Sequence, residues 1–102
     1  MSAAQGVRRD ERKPFAAELD IVVAGRNAAA HGCNISVHGA CITCDLRVGR
    51  GDAVHVDLSE FGAGLRAAIV RHSTRERGRF VVGLEFFEPL SDEEVDLLAH
   101  SN

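Results

Sequence analysis

Residues 15–24, FAAELDIVVA, alternate along most of their length, with Phe15, Ala17, Leu19, Ile21 and Val23 on one side and Glu18 and Asp20 on the other. A period of two marks a strand with one buried face, because successive side chains of extended backbone point to opposite sides. Pro14, just ahead of it, suits a strand start, where a missing amide donor costs least. Moving outward, Gly25-Arg26-Asn27 reads as a turn. Ala28–Ser36 and the stretch after Gly39 read as the arms of a hairpin joined by Val37-His38-Gly39. Ala40, Ile42 and Cys44 face inward on the return arm, and Cys41 and Thr43 face outward. Val54, Val56 and Leu58 alternate with His55 and Asp57 to give another strand. Leu65–His72 and Phe80–Phe87 read as a last pair around a polar loop, Ser73–Arg79. Gly83 inside the final strand signals a bulge or a close backbone approach.

The period changes at the C-terminus. Ser91 with Glu94 three residues on is a capping box, and Leu90 with Val95 forms the flanking hydrophobic staple. Asp92, Glu93 and Glu94 sit in the first turn, where the helix dipole favours anions. One short helix follows, with Val95 and Leu98 on a shared face; it must pack on something to persist. Six short strands and one terminal helix predict an all-β domain, either an antiparallel barrel or a strongly coiled sheet. The absence of βαβ alternation excludes doubly wound nucleotide-binding folds.

Composition narrows the class. The chain has 102 residues, 45% hydrophobic and 26% charged, with a net charge of -3, which fits one folded domain. No apolar run approaches the roughly 18 residues of a membrane span, and the first twenty residues are too charged for a signal peptide. A soluble, cytoplasmic protein is expected. Three cysteines, an odd number, argue against a secreted disulfide scaffold. The charge is divided: residues 7–13, VRRDERK, carry +2 and the rest of the chain -5. The overall sign disfavours a nucleic-acid polymer, whose binding needs a wide basic surface. A few arginines still suffice for a small phosphorylated ligand.

Two constellations carry chemistry. Arg8, Arg9, Arg12 and Lys13 cluster directly before the first strand. Asn34-Ile35-Ser36-Val37-His38-Gly39 lies at the first hairpin. Asn34 and Ser36 are expected on one face with Ile35 inward, and Gly39 is expected to permit a backbone conformation that other residues resist.

Together these resemble the PilZ domain, a bacterial family that binds the second messenger cyclic di-GMP. Its pattern is R-x-x-x-R, a gap, then [D/N]-x-S-x-x-G. Arg8 and Arg12 match the first element; Asn34, Ser36 and Gly39 match the second. Gly83-Leu84-Glu85-Phe86, Pro89 and the helix look like the family's last strand and C-terminal helix. The resemblance implies a six-stranded antiparallel β-barrel over residues 8–99, with residues 1–7 as a flexible N-terminus and 100–102 as a tail. It further implies that Arg8 and Arg12 grip phosphate and guanine with Arg9 assisting, while Asn34, Ser36 and Gly39 shape and line a guanine-binding surface. The chemistry agrees, since arginine can fork onto phosphate, take guanine O6 and N7 together, or stack on a base. An arm ordered by ligand would present a changed surface to an effector protein. A second reading keeps the barrel as a protein-interaction module, in motility or pilus control, that does not bind the nucleotide.

Other chemistry reads poorly. Cys41-Ile42-Thr43-Cys44 is a C-x-x-C, but on a strand its thiols point to opposite faces and cannot share one metal ion. Cys33 and Cys44 read as small core residues. Ser36 and His38 lack a nucleophile elbow and a third group. No catalytic residue, metal or cofactor is expected.

Overall fold

The computed structural model describes residues 11–100, so Arg8, Arg9, the N-terminal stretch 1–7 and the last two residues lie outside the described residues. The alternation from Phe15 onward appears as an interrupted strand: β1 (Lys13–Pro14), a short break, then β2 (Glu18–Val23). Both lie antiparallel to one long partner, β3 (Arg26–Ile35), with Pro14 opposite Asn34 and Glu18 opposite His31. Across the break, Phe15 N–H donates to Cys33 O at 3.2 Å and Gly32 N–H donates to Ala17 O at 2.8 Å. Gly32 is needed there because a side chain would run into Phe15.

Four more strands follow: β4 (Gly39–Cys44), β5 (Ala53–Leu58), β6 (Gly64–Glu76) and β7 (Arg79–Phe86). The strand order β3-β2-β5-β6-β7-β4 closes because β4 also pairs with β3, and every pairing is antiparallel. The result is a closed six-stranded barrel, the first of the two architectures expected.

Alternation fills its interior. Ile21, Ile35, Ile42, Val54, Val56, Leu58, Val70 and Val82 are each almost wholly buried, and Phe15 meets Phe61 edge to face with ring centres 5.5 Å apart. Helix α1 (Asp92–Ala99) packs near β1 and β3 and buries Val95 and Leu98. Its capping box is formed: Ser91 Oγ accepts from Glu94 N–H at 3.0 Å, and Glu94 carboxylate accepts from Ser91 N–H at 2.9 Å. Leu90 and Val95, the expected staple, are both buried. Truncating Leu98 to alanine costs about 2–5 kcal/mol, the usual range for emptying a sealed site.

Two turns are tighter than their composition suggests. The first is Ala24-Gly25, with φ of 52° and 78°, so Arg26 and Asn27 already belong to β3. The second is Arg77-Gly78, with φ of 53° and 81°, and Ser73–Glu76 continue β6 rather than forming a loop. Positive φ at both central residues gives the hairpin twist that matches the flanking strands. The polar residues of the second hairpin reflect exposure of that part of the strand, not loss of pairing, since Ser73 to Glu76 stay opposite Val82 to Arg79.

The alternation slips at two β-bulges. In β3, Gly32 faces Ile42 and Asn34 faces Cys41, leaving Cys33 as the extra residue. Cys33 and Asn34 therefore turn outward in succession, and Cys33 is exposed, not part of the core as expected. Cys44 is wholly buried. In β6, Val70 faces Leu84 and His72 faces Gly83, leaving Arg71 extra, so Arg71 and His72 are exposed in succession.

Candidate ligand-binding face

Arg12 immediately precedes β1, whose pairing brings the incoming chain alongside the last residues of β3. Its Nη1 donates to Asn34 Oδ1 at 2.8 Å, across 22 residues of sequence. The bulge at Cys33 makes this possible, because it sets Asn34 on the outer wall with Ile35 sealed beneath. The next residue points elsewhere: Lys13 Nζ lies 2.7 Å from Asp96 Oδ1 on α1. Their hydrogen bond and mutual charge raise the Lys13 pKa and lower that of Asp96. One dipeptide thus fastens the arm to the barrel wall and to the helix.

Ser36 and Gly39 form the β3–β4 turn. Ser36 N–H donates to Gly39 O at 2.8 Å, Gly39 N–H donates to Ser36 Oγ at 3.2 Å, and Ser36 Oγ also lies 3.2 Å from Gly39 O. Ser36 is 2% exposed. It builds the turn, and the strand alternation expected to carry it alongside Asn34 ends at Ile35. Gly39 has no positive φ among the described residues; it is required because a β-carbon would strike the Leu84 carbonyl of β7. The reason for glycine is a close approach, not an unusual conformation. Phe86 N–H to His38 O and Leu90 N–H to Val37 O, both 2.8 Å, tie the turn to the β7–α1 connection.

Arg12, Ser36 and Gly39 open onto one cleft of about 410 Å³, shared with Arg71, His72 and Glu85. That volume lies within the usual range of small-molecule sites, about 300–1,000 Å³. Arg71 Nε is ion-paired with Glu85, and the His72 imidazole covers the backbone of Gly83. The glycine in β7 thus marks a close approach, and the partner strand carries the bulge. Sequence reasoning misses Arg71 and His72; their only signal is two successive polar residues after the strand pattern of Ile69-Val70. A larger cleft of about 720 Å³ is also lined by Arg71 and His72, together with Arg47, Arg50, Asp52 and Arg75. Among the described residues, none of the paired motif lines it.

The thiols differ by place. Cys41 faces outward, half-buried, and Cys44 faces the core, so this C-x-x-C is split between two faces. Burial pushes the Cys41 thiol up to about 11, neighbouring Cys33 adds to the shift, and the Arg12 charge opposes it.

An arginine from the arm, bonded across a bulged wall beside Arg71 and His72, stands on one face of a closed β-barrel module. The chain belongs to the PilZ domain family, which matches residues 7–101. PilZ domains are receptor and adaptor modules. Among solved structures, the chain resembles that of the Bacillus subtilis inhibitor of motility (MotI/DgrA), with a TM-score of 0.55 and 20% identity. The match covers 96% of this chain and 53% of that one, so the chain spans about half that protein's length. The likeness is one of fold. No match was found among curated proteins. Among the described residues, no helix is long and apolar enough to cross a membrane.

Proposed function

We propose that this chain is a cytoplasmic, non-enzymatic receptor for cyclic di-GMP that reports ligand occupancy to an effector protein. The observation that carries the reading is the Arg12–Asn34 hydrogen bond at 2.8 Å. It joins the arginine half of the paired motif to the hairpin half at one cleft, where Arg71 and His72 add a second cation and a planar ring. A guanidinium has several N–H donors, so Arg12 can hold Asn34 and turn toward phosphate or a guanine edge. Arg8 and Arg9, on the same arm, would close over the ligand, and Asn34 would address guanine beside the turn that Ser36 and Gly39 shape. Titration calorimetry of the full chain with cyclic di-GMP tests this. Saturable heat at micromolar protein is expected, and its absence overturns the reading.

A second reading, a protein-interaction module that works without the nucleotide, is favoured by a separate observation. Leu65 and Phe87 are 62% and 60% exposed and line a single hollow with His55 and Ala67. Exposed apolar side chains gathered in one place mark protein contacts. Under the receptor reading this hollow is the output surface. Under the second it is the working surface, and a part in motility, as the name of the similar Bacillus subtilis protein states for that protein, would suit it. An effector captured equally with and without cyclic di-GMP would select the second reading.

A further inference from the structure

The bulge that exposes Asn34 also brings two thiols together. Cys33 is the extra residue of β3, and with Asn34 it stands opposite Cys41 of β4 on the outer wall. In such a bulge the two residues on the bulged strand share the single partner residue. Opposed α-carbons of antiparallel strands lie about 4.5–5.5 Å apart, within the span a disulfide can bridge. Cys33 is exposed and Cys41 partly so. Neighbouring Cys33 adds to the rise that burial causes in the Cys41 thiol, and the Arg12 charge opposes it. Cys44, the third thiol, is sealed in the barrel. The proposed ligand chemistry uses neither exposed thiol.

We infer that Cys33 and Cys41 form a redox-active dithiol that closes into a disulfide across β3 and β4 when it meets an oxidised low-molecular-weight thiol. The exposed Cys33 sulfur, as thiolate, attacks one sulfur of the small disulfide and expels the other as a thiolate. Cys41 then gives up its proton to solvent and attacks the Cys33 sulfur, forming the protein disulfide and expelling the second small thiolate. Two electrons pass from the protein to the small disulfide, and the two released thiolates take up the two protons. Pulling the sulfurs together acts on the outer wall beside Asn34, where Arg12 crosses. The disulfide therefore competes with the arm's grip, a consequence that rests on the cyclic di-GMP reading.

The experiment treats the full chain with glutathione disulfide and reads intact mass and linked peptides. The expected product has lost two hydrogens, has a Cys33–Cys41 cross-link, and reverts with dithiothreitol. Cys33→Ser and Cys41→Ser should instead carry a stable glutathione adduct on the remaining exposed thiol, and Cys44→Ala should behave as the parent. A parent protein that accumulates adducts, or stays unmodified, overturns the proposal. Calorimetry on the oxidised and reduced forms then reads the coupling: cyclic di-GMP affinity should fall by about fivefold or more on oxidation, the lower range of typical site-to-site coupling. Equal affinities would overturn the coupling and leave the dithiol standing. If neither form binds, the receptor reading fails while the mass result still decides the dithiol.

Discussion

Leu84 places its backbone carbonyl where a β-carbon on Gly39 would have to be, whereas at Gly83, one residue earlier, the space is taken by the ring of His72. The two glycines of this face are therefore required for different reasons. Backbone at a paired strand cannot yield without breaking the β4–β7 ladder; an exposed imidazole can swing away.

Gly39→Ala should thus destabilise the fold by about 1–3 kcal/mol, as overpacking does, a fall in melting temperature of about 4–8 °C for each kcal/mol in a domain of this size. Gly83→Ala should melt close to the parent and alter the cleft instead, lowering ligand affinity. Thermal melts paired with calorimetry separate the two. Equal melting losses would contradict the assignment of rigid and movable obstacles.

Ser36→Ala removes a hydroxyl that accepts from Gly39 N–H inside a buried turn. A loss of about 1–3 kcal/mol is expected, the range for a buried donor left unpaired, measured by urea denaturation. Ligand affinity, corrected for the folded fraction, should change little, since the hydroxyl serves the turn.

Arg12→Ala should do the reverse. Its bond to Asn34 is exposed, so stability should stay within about 0.5 kcal/mol of the parent, as for most surface changes. Affinity for cyclic di-GMP should fall about tenfold or more, the equivalent of one lost arginine–guanine contact. An unchanged affinity would move the site away from the arm.

The Lys13–Asp96 pair sets a pH window for the arm. Asp96 is lowered from 3.8, so its contribution is present above that value and is lost as pH falls through the depressed folded pKa. Lys13 is raised from 10.5, so its contribution is whole below 10.5 and is lost as pH rises through the folded value. The backbone amide signals of Arg12 and Lys13 should hold steady between these limits and shift beyond them. Asp96→Asn should abolish the acid-side shift without a measurable loss of global stability, because both side chains are solvated and surface pairs contribute little.

Much of the barrel is legible in the sequence because alternation reports burial directly. Phe15, Leu19, Ile21, Ala40, Ile42, Cys44, Val54, Val56 and Leu58 all point inward as the period of two requires. The terminal helix is legible through Ser91, Glu94 and the Leu90–Val95 staple, since capping chemistry is local. Pattern does not place the bulges, because an extra residue reverses parity for everything beyond it while leaving composition unchanged. Cys33 reads as core for that reason, and Arg71 and His72 do not stand out. Gly39 is legible as a constrained position, but its constraint comes from Leu84, 45 positions away, which no local turn rule can supply. Arg12 and Asn34 are paired in the sequence only by resemblance to a family; their contact depends on β1 lying beside the end of β3.

The two bulges also divide the chain's evolutionary obligations. Where the wall keeps its alternation over the core, an outward residue is flanked by inward neighbours, so altering register there to present new chemistry would disturb the core. At Cys33-Asn34 and Arg71-His72 two adjacent positions face solvent together, and substitution there leaves the interior packing untouched. Such positions can drift between ligand specificities, or lose ligand altogether, while the same barrel continues to fold.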